Sequence, residues 1–150
     1  MPESPEVIDK RVRREVYDFT LRRGIPPDST NVAEALSLGR ELVRDSFSRL
    51  AAAHVLVLQP ESGEILMANP FSAVPTPFRV EVAGFVAYGN CIWDSLGIPA
   101  MLKADAIIDS SCGDCGTAMQ IAVSDGEVSG DGLLHFAIPA RDWWNDIVFT

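Results

Sequence analysis

The stretch Asn31–Leu58, "NVAEALSLGRELVRDSFSRLAAAHVLVL", decides how the first half of the chain folds. Its apolar spacing predicts a short helix over Val32–Leu36, a turn near Ser37–Gly39 and a longer helix over about Arg40–Ala53. Val55–Leu58 then changes to the β-rich composition of a strand. "QPESGE" supplies a turn, and Ile65–Ala68 reads as the returning strand. Upstream, Val7–Arg23 predicts a first helix. Val12, Val16, Phe19 and Leu21 turn toward a core, Arg13, Arg14, Arg22 and Arg23 turn toward water, and Gly24 ends it. Three helices followed by a β-hairpin is a winged-helix-like pattern, expected over residues 1–69.

Downstream the pattern changes. "NPFSAVPTPF", Asn69–Phe78, carries three prolines and no helical period, so residues 70–77 are expected to form an extended connector. Residues 78–150 then read as β-rich. Strands are expected at "FRVEV", "FVAYG", "ADAIIDSS" (Ala104–Ser111), "AMQIAVS" (Ala118–Ser124) and "LLHFAIP" (Leu133–Pro139). A turn or short helix follows in "ARDWWN", and "DIVFT" resembles the start of a further strand. The fold class expected is therefore α+β, with a winged-helix-like helical subdomain followed by a small β-rich subdomain.

Composition restricts the partners. The chain has 150 residues, 47% of them hydrophobic and 22% charged, which suits a globular protein. A formal net charge of −9 repels a phosphate backbone. The helix over Arg40–Ala53 mixes Arg40, Arg44 and Arg49 with Glu41 and Asp45 and forms no basic stripe, so DNA binding is disfavoured. No apolar run reaches the roughly 20 residues of a membrane helix, and no membrane partner is expected. Three cysteines, Cys91, Cys112 and Cys115, with no apolar leader segment, fit a reducing cytoplasm rather than a disulfide framework.

Two clusters bear chemistry. In "YGNCIWDSLGIPA", Tyr88–Ala100, Asn90 is expected to cap a short helix with Cys91 as its first residue and Pro99 limiting its length. A thiol at a helix start meets free N–H groups that favour its thiolate, and Asp94 follows one turn later. The pair can bind a soft cation through sulfur with a carboxylate alongside. The same spacing also describes a small buried hydrophobe followed by a first-turn acid. In "CGDCG", Cys112–Gly116, the C-x₂-C spacing suits a metal knuckle or a glycine-rich hairpin turn. A structural zinc there would need Cys91, His54 or His135 to complete its ligands. Trp93, Trp143 and Trp144 read as core or interface aromatics, or as walls of an apolar pocket, and His135 as a core histidine within a strand.

The run "FVAYGNCIWDSLGIPAMLKADAIIDSSCGDCGTAMQIAV", behind a winged-helix-like half, resembles the alkylmercury lyases. The family signature C-x-x-D-x-L-x-x-P-A is matched by Cys91, Asp94, Leu96, Pro99 and Ala100, and a following family cysteine by Cys112. The resemblance implies protonolysis of a carbon–mercury bond to a hydrocarbon and Hg(II). Cys91 would be the thiolate ligand, and Asp94 the proton relay and product ligand. Organomercurials and free thiols would be the partners, with no organic cofactor. The family's second catalytic cysteine follows the segment matching "DWWNDIVFT", so the β-rich half is expected to be cut short at Thr150. Cys115, with Cys112 beside it, is the candidate to supply a second metal-binding thiol.

Overall fold

The computed structural model describes residues 3–148. The chain is α+β, as expected. Three helices, α1 (Pro5–Arg23), α2 (Ser29–Leu36) and α3 (Arg40–Ala52), precede a three-stranded antiparallel sheet of β1 (Leu56–Leu58), β2 (Ile65–Ala68) and β3 (Phe71–Ser72). A five-stranded antiparallel sheet follows, in the order β5-β4-β6-β7-β8. Its strands are β4 (Arg79–Val82), β5 (Phe85–Tyr88), β6 (Ala106–Ser111), β7 (Ala118–Ser124) and β8 (Glu127–Ser129). Helix α4 (Ile92–Leu102) connects β5 to β6.

The helices form where the apolar period predicts them, but capping moves their ends. Pro5 at the first turn of α1 lengthens it by two residues at the N-terminus. Helix α2 starts at Ser29 rather than Val32, because Asp28 and Asn31 cap each other's backbone: Asn31 N donates to Asp28 Oδ1 at 2.8 Å and Asp28 N donates to Asn31 Oδ1 at 3.3 Å. Val12 and Val16 are fully buried with Val32, Val43, Phe47, Leu56 and Ala68 in a first core. Phe19 is only half-buried and lies near Arg22 and Arg23 instead.

Several expectations fail for physical reasons. The proline-rich connector contains β3, which pairs Ser72 with Met67 and Phe71 with Ala68. Phe71 is fully buried in the second core with Val80, Val82, Ala87, Ile98, Ala106, Ile108 and Val123. A strand of two residues is too short to show a period. Leu133–Pro139 is not a strand. Leu133 is 98% exposed and His135 is exposed, so the core reading of His135 fails too. Gly130 and Gly132, at φ +152° and +120°, carry the backbone out of extended geometry after β8, a short polar strand that lacks an apolar face. Residues 140–145 form a 3₁₀ helix, Ala140–Asn145. The strand expected at "DIVFT" extends into Phe149 and Thr150, outside the described residues, and 146–148 are not strand.

The two cores meet around α1. Tyr17 packs against both, and Gly24 closes the helix in the left-handed conformation, φ +77°, with its N–H on Thr20 O at 2.7 Å. A Cβ at Gly24 would collide with the carbonyl oxygen of Val86 in β5. Gly24→Ala is therefore expected to destabilise the fold by more than about 1 kcal/mol, read as a lower urea midpoint with an unchanged slope. An unchanged midpoint would show that this contact does not constrain the fold.

Candidate active site

The site is built where α4 begins. Strand β5 ends at Tyr88, and the next residue, Gly89, is pinned from three sides. Its N–H donates to Phe78 O at 3.0 Å, its carbonyl accepts from Thr76 Oγ1 at 2.6 Å, and it bridges to Phe71. A Cβ at Gly89 would lie 2.7 Å from the Ser95 backbone nitrogen, so only glycine lets the chain pass this close beneath the first turn of α4. The connector thus anchors the position from which the helix starts.

The helix starts one residue later than expected. Cys91 itself is the N-cap residue, extended at φ −148° and ψ −178°, and its carbonyl accepts from Ser95 N at 2.9 Å. Asn90 is freed from capping for another task. Its Nδ2 donates to Asp94 Oδ2 at 2.9 Å, Asn69 Oδ1 at 3.3 Å and Pro70 O at 3.3 Å, tying the carboxyl to the β2–β3 turn. Three acceptors around one nitrogen fix the amide's orientation and leave Asn90 Oδ1 buried without a partner. Pro99 does not end the helix: it is buried in the second core, and α4 continues to Leu102.

Cys91 and Asp94 line one cavity of about 290 Å³, with Met67 and Asn69 from the β2–β3 region and Trp93, Phe136, Trp143, Trp144, Ile147 and Val148 forming the apolar walls. Among the described residues no basic side chain lines it. The tryptophans are walls rather than core: Trp93 is 54% exposed and stands edge-on to Phe136, with ring centroids 6.1 Å apart. Trp144 stacks on His54 at 4.1 Å, and Trp143 Nε1 donates to Ile138 O at 2.8 Å, which holds the 3₁₀ helix over the cavity.

The electrostatics overturn one expectation. Burial pushes the Cys91 thiol up, and the Asp94 charge adds to this against the opposing pull of the Asp94 and Trp93 backbone N–H groups. The helix start alone does not acidify this sulfur. Burial also raises Asp94, with only the Asn90 hydrogen bond lowering it. Tyr17, raised by burial and further by the Asp94 charge, donates its hydroxyl to Asn69 O at 2.8 Å.

The remaining thiols lie elsewhere. Cys112 lines a separate, larger cavity of about 500 Å³. Cys115 is exposed at the β6–β7 turn and lines neither cavity. Among the described residues Cys115 does not join Cys91 and Asp94 in a metal-holding group, so it is not placed as their second thiol. Its thiol is pushed down to about 7 by Thr117, with help from Cys112. Among the described residues no three of His, Cys, Asp and Glu converge as a metal-holding group, so Cys91, His54 and His135 do not join Cys112 and Cys115 in the ligand set a structural zinc would need. Also among the described residues, no helix is long and apolar enough to cross a membrane.

Sequence reading identified Cys91 and Asp94 but missed Asn90 as the carboxyl's partner, and Tyr17, Asn69, Phe136 and Met67 altogether. Only the Asn90–Asp94 interval of four residues carried any signal. Comparison with known proteins follows this geometry. No curated protein sequence matches the chain. The solved structure titled "Crystal structure of the mercury-bound form of MerB2" is similar in fold, with a TM-score of 0.61 and 20% identity over 83% of this chain and 63% of that one. This chain thus spans less than two thirds of that protein's length. The family model described as alkylmercury lyase (MerB) matches residues 71–150, more than half of the sequence and the whole segment that carries Cys91 and Asp94, and the chain belongs to that family.

Proposed function

We propose that the chain cleaves the carbon–mercury bond of organomercurials by protonolysis, with Cys91 as the mercury ligand and Asp94 as the proton carrier. The observation that carries this reading is one half-buried thiol and one half-buried carboxyl lining a single aromatic-walled cavity with no basic side chain on it among the described residues. A soft metal selects sulfur over the oxygen donors nearby. A carboxyl with no cation against it is able to accept a proton and then give it up.

At rest the thiol holds its proton and Asp94 is ionised. An R–Hg–thiolate complex enters, the Cys91 sulfur forms a bond to mercury, its proton moves to Asp94, and the incoming thiolate leaves. Asp94 then donates this proton to the mercury-bound carbon. The electron pair of the C–Hg bond forms the C–H bond, and R–H departs. Mercury(II) stays on the Cys91 sulfur with the Asp94 carboxylate beside it. Two external thiols remove it as a bis-thiolate complex, and Cys91 regains a proton. Asn90 holds one carboxyl oxygen in the shared cavity throughout, and no organic cofactor takes part.

For the first half we propose a winged-helix-like packing unit rather than a DNA reader. Each arginine of α3 is already used internally: Arg40 pairs with Glu64 at 3.2 Å, Arg44 donates to Ser62 O at 2.6 Å, and Arg49 pairs with Asp9 at 2.7 Å. A phosphate would have to displace these partners.

The test is hydrocarbon release from methyl- or phenylmercury in excess free thiol, followed by gas chromatography. Cys91→Ser and Asp94→Ala are each expected to lower the rate by at least about 100-fold while remaining folded. Mercury retained by the unmodified chain without hydrocarbon would leave only a binding role. Stability supplies a second test. Because the folded-state pKa of Asp94 is raised, ionising it costs stability above its ordinary value of 3.8, and that cost is absent below it. Asp94→Asn keeps the hydrogen bond from Asn90, so it is expected to raise Tm by about 2–4 °C at pH 7 and to lose this advantage near pH 3. A lower Tm at pH 7 would mean that the carboxylate is stabilised where it stands.

A further inference from the structure

The β6–β7 turn carries a second pair of thiols that the lyase reading does not use. Cys112 N donates to Thr117 O at 2.9 Å and so closes the ladder after the Ser111–Ala118 pair. Gly116 N then donates to Cys112 O at 2.9 Å, and Gly116 sits at φ +71°, which the left-handed end of such a turn requires. Within this single helical-type turn the three-residue interval brings Cys112 and Cys115 to the same side. Cys115 Sγ is 3.1 Å from Thr117 Oγ1. Cys115 is exposed and Cys112 half-buried, and nothing lies within 4 Å of where a side chain at Gly113 or Gly116 would be, so an incoming metal complex can approach from the Cys115 side.

We propose that Cys112 and Cys115 form a second soft-metal site, a two-coordinate dithiolate at the tip of the β6–β7 turn, that takes Hg(II). The coordination number selects the ion. No third protein ligand converges among the described residues, so a cation that needs four ligands is poorly served there. A thiophilic d¹⁰ ion that is content with two sulfurs is satisfied. Loading is an exchange: two Hg–S bonds to small thiolates break, two Hg–S bonds to Cys112 and Cys115 form, and the two protein thiol protons pass to the departing thiolates. No oxidant or reductant is required, and turnover at Cys91 is not involved.

The experiment removes the first thiol. The Cys91→Ser chain is mixed with mercuric chloride in excess glutathione, desalted, and weighed intact by mass spectrometry. A competition series with rising glutathione gives the relative affinity. One Hg(II) per chain is expected, with a sulfur-to-mercury charge-transfer band in the ultraviolet. Cys91→Ser/Cys115→Ser is expected to lose Hg(II) to glutathione about 100-fold more readily, because it loses the second, intramolecular thiol. Zinc chloride under the same conditions is expected to leave no bound metal. Cys115 is exposed, so its replacement is expected to leave the circular dichroism unchanged, and Cys91→Ser/Cys112→Ser provides an independent second removal. Equal retention by the single and double variants, no retention by Cys91→Ser, or zinc held as firmly as mercury would each overturn the proposal.

Discussion

The site depends on a carboxyl group being partly buried beside a neutral donor and no cation. Elsewhere in this chain carboxylates near the interior are treated differently. Asp9 accepts from Arg49 and Ser46, and Glu64 from Ser29 and Arg40, and both are held below the usual carboxylate range. Asp94 receives only the Asn90 amide, and burial raises it. An arginine in that place would fix the charge and remove the carboxyl from proton chemistry. The same molecule thus contains part-buried carboxylates held by arginine and one, Asp94, held by a neutral amide.

That neighbour is in place because of contacts distant in sequence. Asn90 is aimed by Asn69 and Pro70, which close the three-stranded sheet, and Gly89 is pinned by Thr76 and Phe78 from the proline-rich segment. The segment that looks like a connector is the clamp on the helix start. Tyr17 then links α1 to the same turn through Asn69 O. The site therefore lies at the seam of two cores, and the packing of each core sets its geometry.

How much of this was legible in the sequence follows from the range of the interactions. Helices α1 and α3 repeat an apolar period over many residues, and their expected spans are met within two residues at each end. Strand β7 alternates over seven residues and was placed without error. Strand β3 has two residues and β8 no apolar face, so neither carries a pattern. Leu133–Pro139 has the composition of a strand but pairs with none among the described residues, and it follows glycines 130 and 132 at positive φ. In the site, Cys91 and Asp94 were legible because one helical turn joins them. Asn69, Phe136, Trp143 and Trp144 reach the cavity through tertiary packing alone. The raised thiol was illegible for the same reason, since burial is a property of the assembled walls and outweighs the local field of the helix start.

Burial also has a consequence for the order of events at the proposed centre. A cavity walled by Trp93, Phe136, Trp143 and Trp144 penalises any isolated charge. When the thiol proton passes to Asp94 as sulfur captures mercury, the neutral carboxyl is the form that such walls favour. When that proton moves on to carbon, a carboxylate reappears, but a mercury cation now lies next to it. The ionisation that the walls oppose in the resting site is compensated in the product. Poor solvation of Asp94 therefore assists proton donation only when a metal is present to receive the charge, and it holds the metal afterwards. In the proposed cycle, departure of the metal then requires ligands that compete with the Cys91 thiolate as well as the carboxylate, and small thiols have that softness.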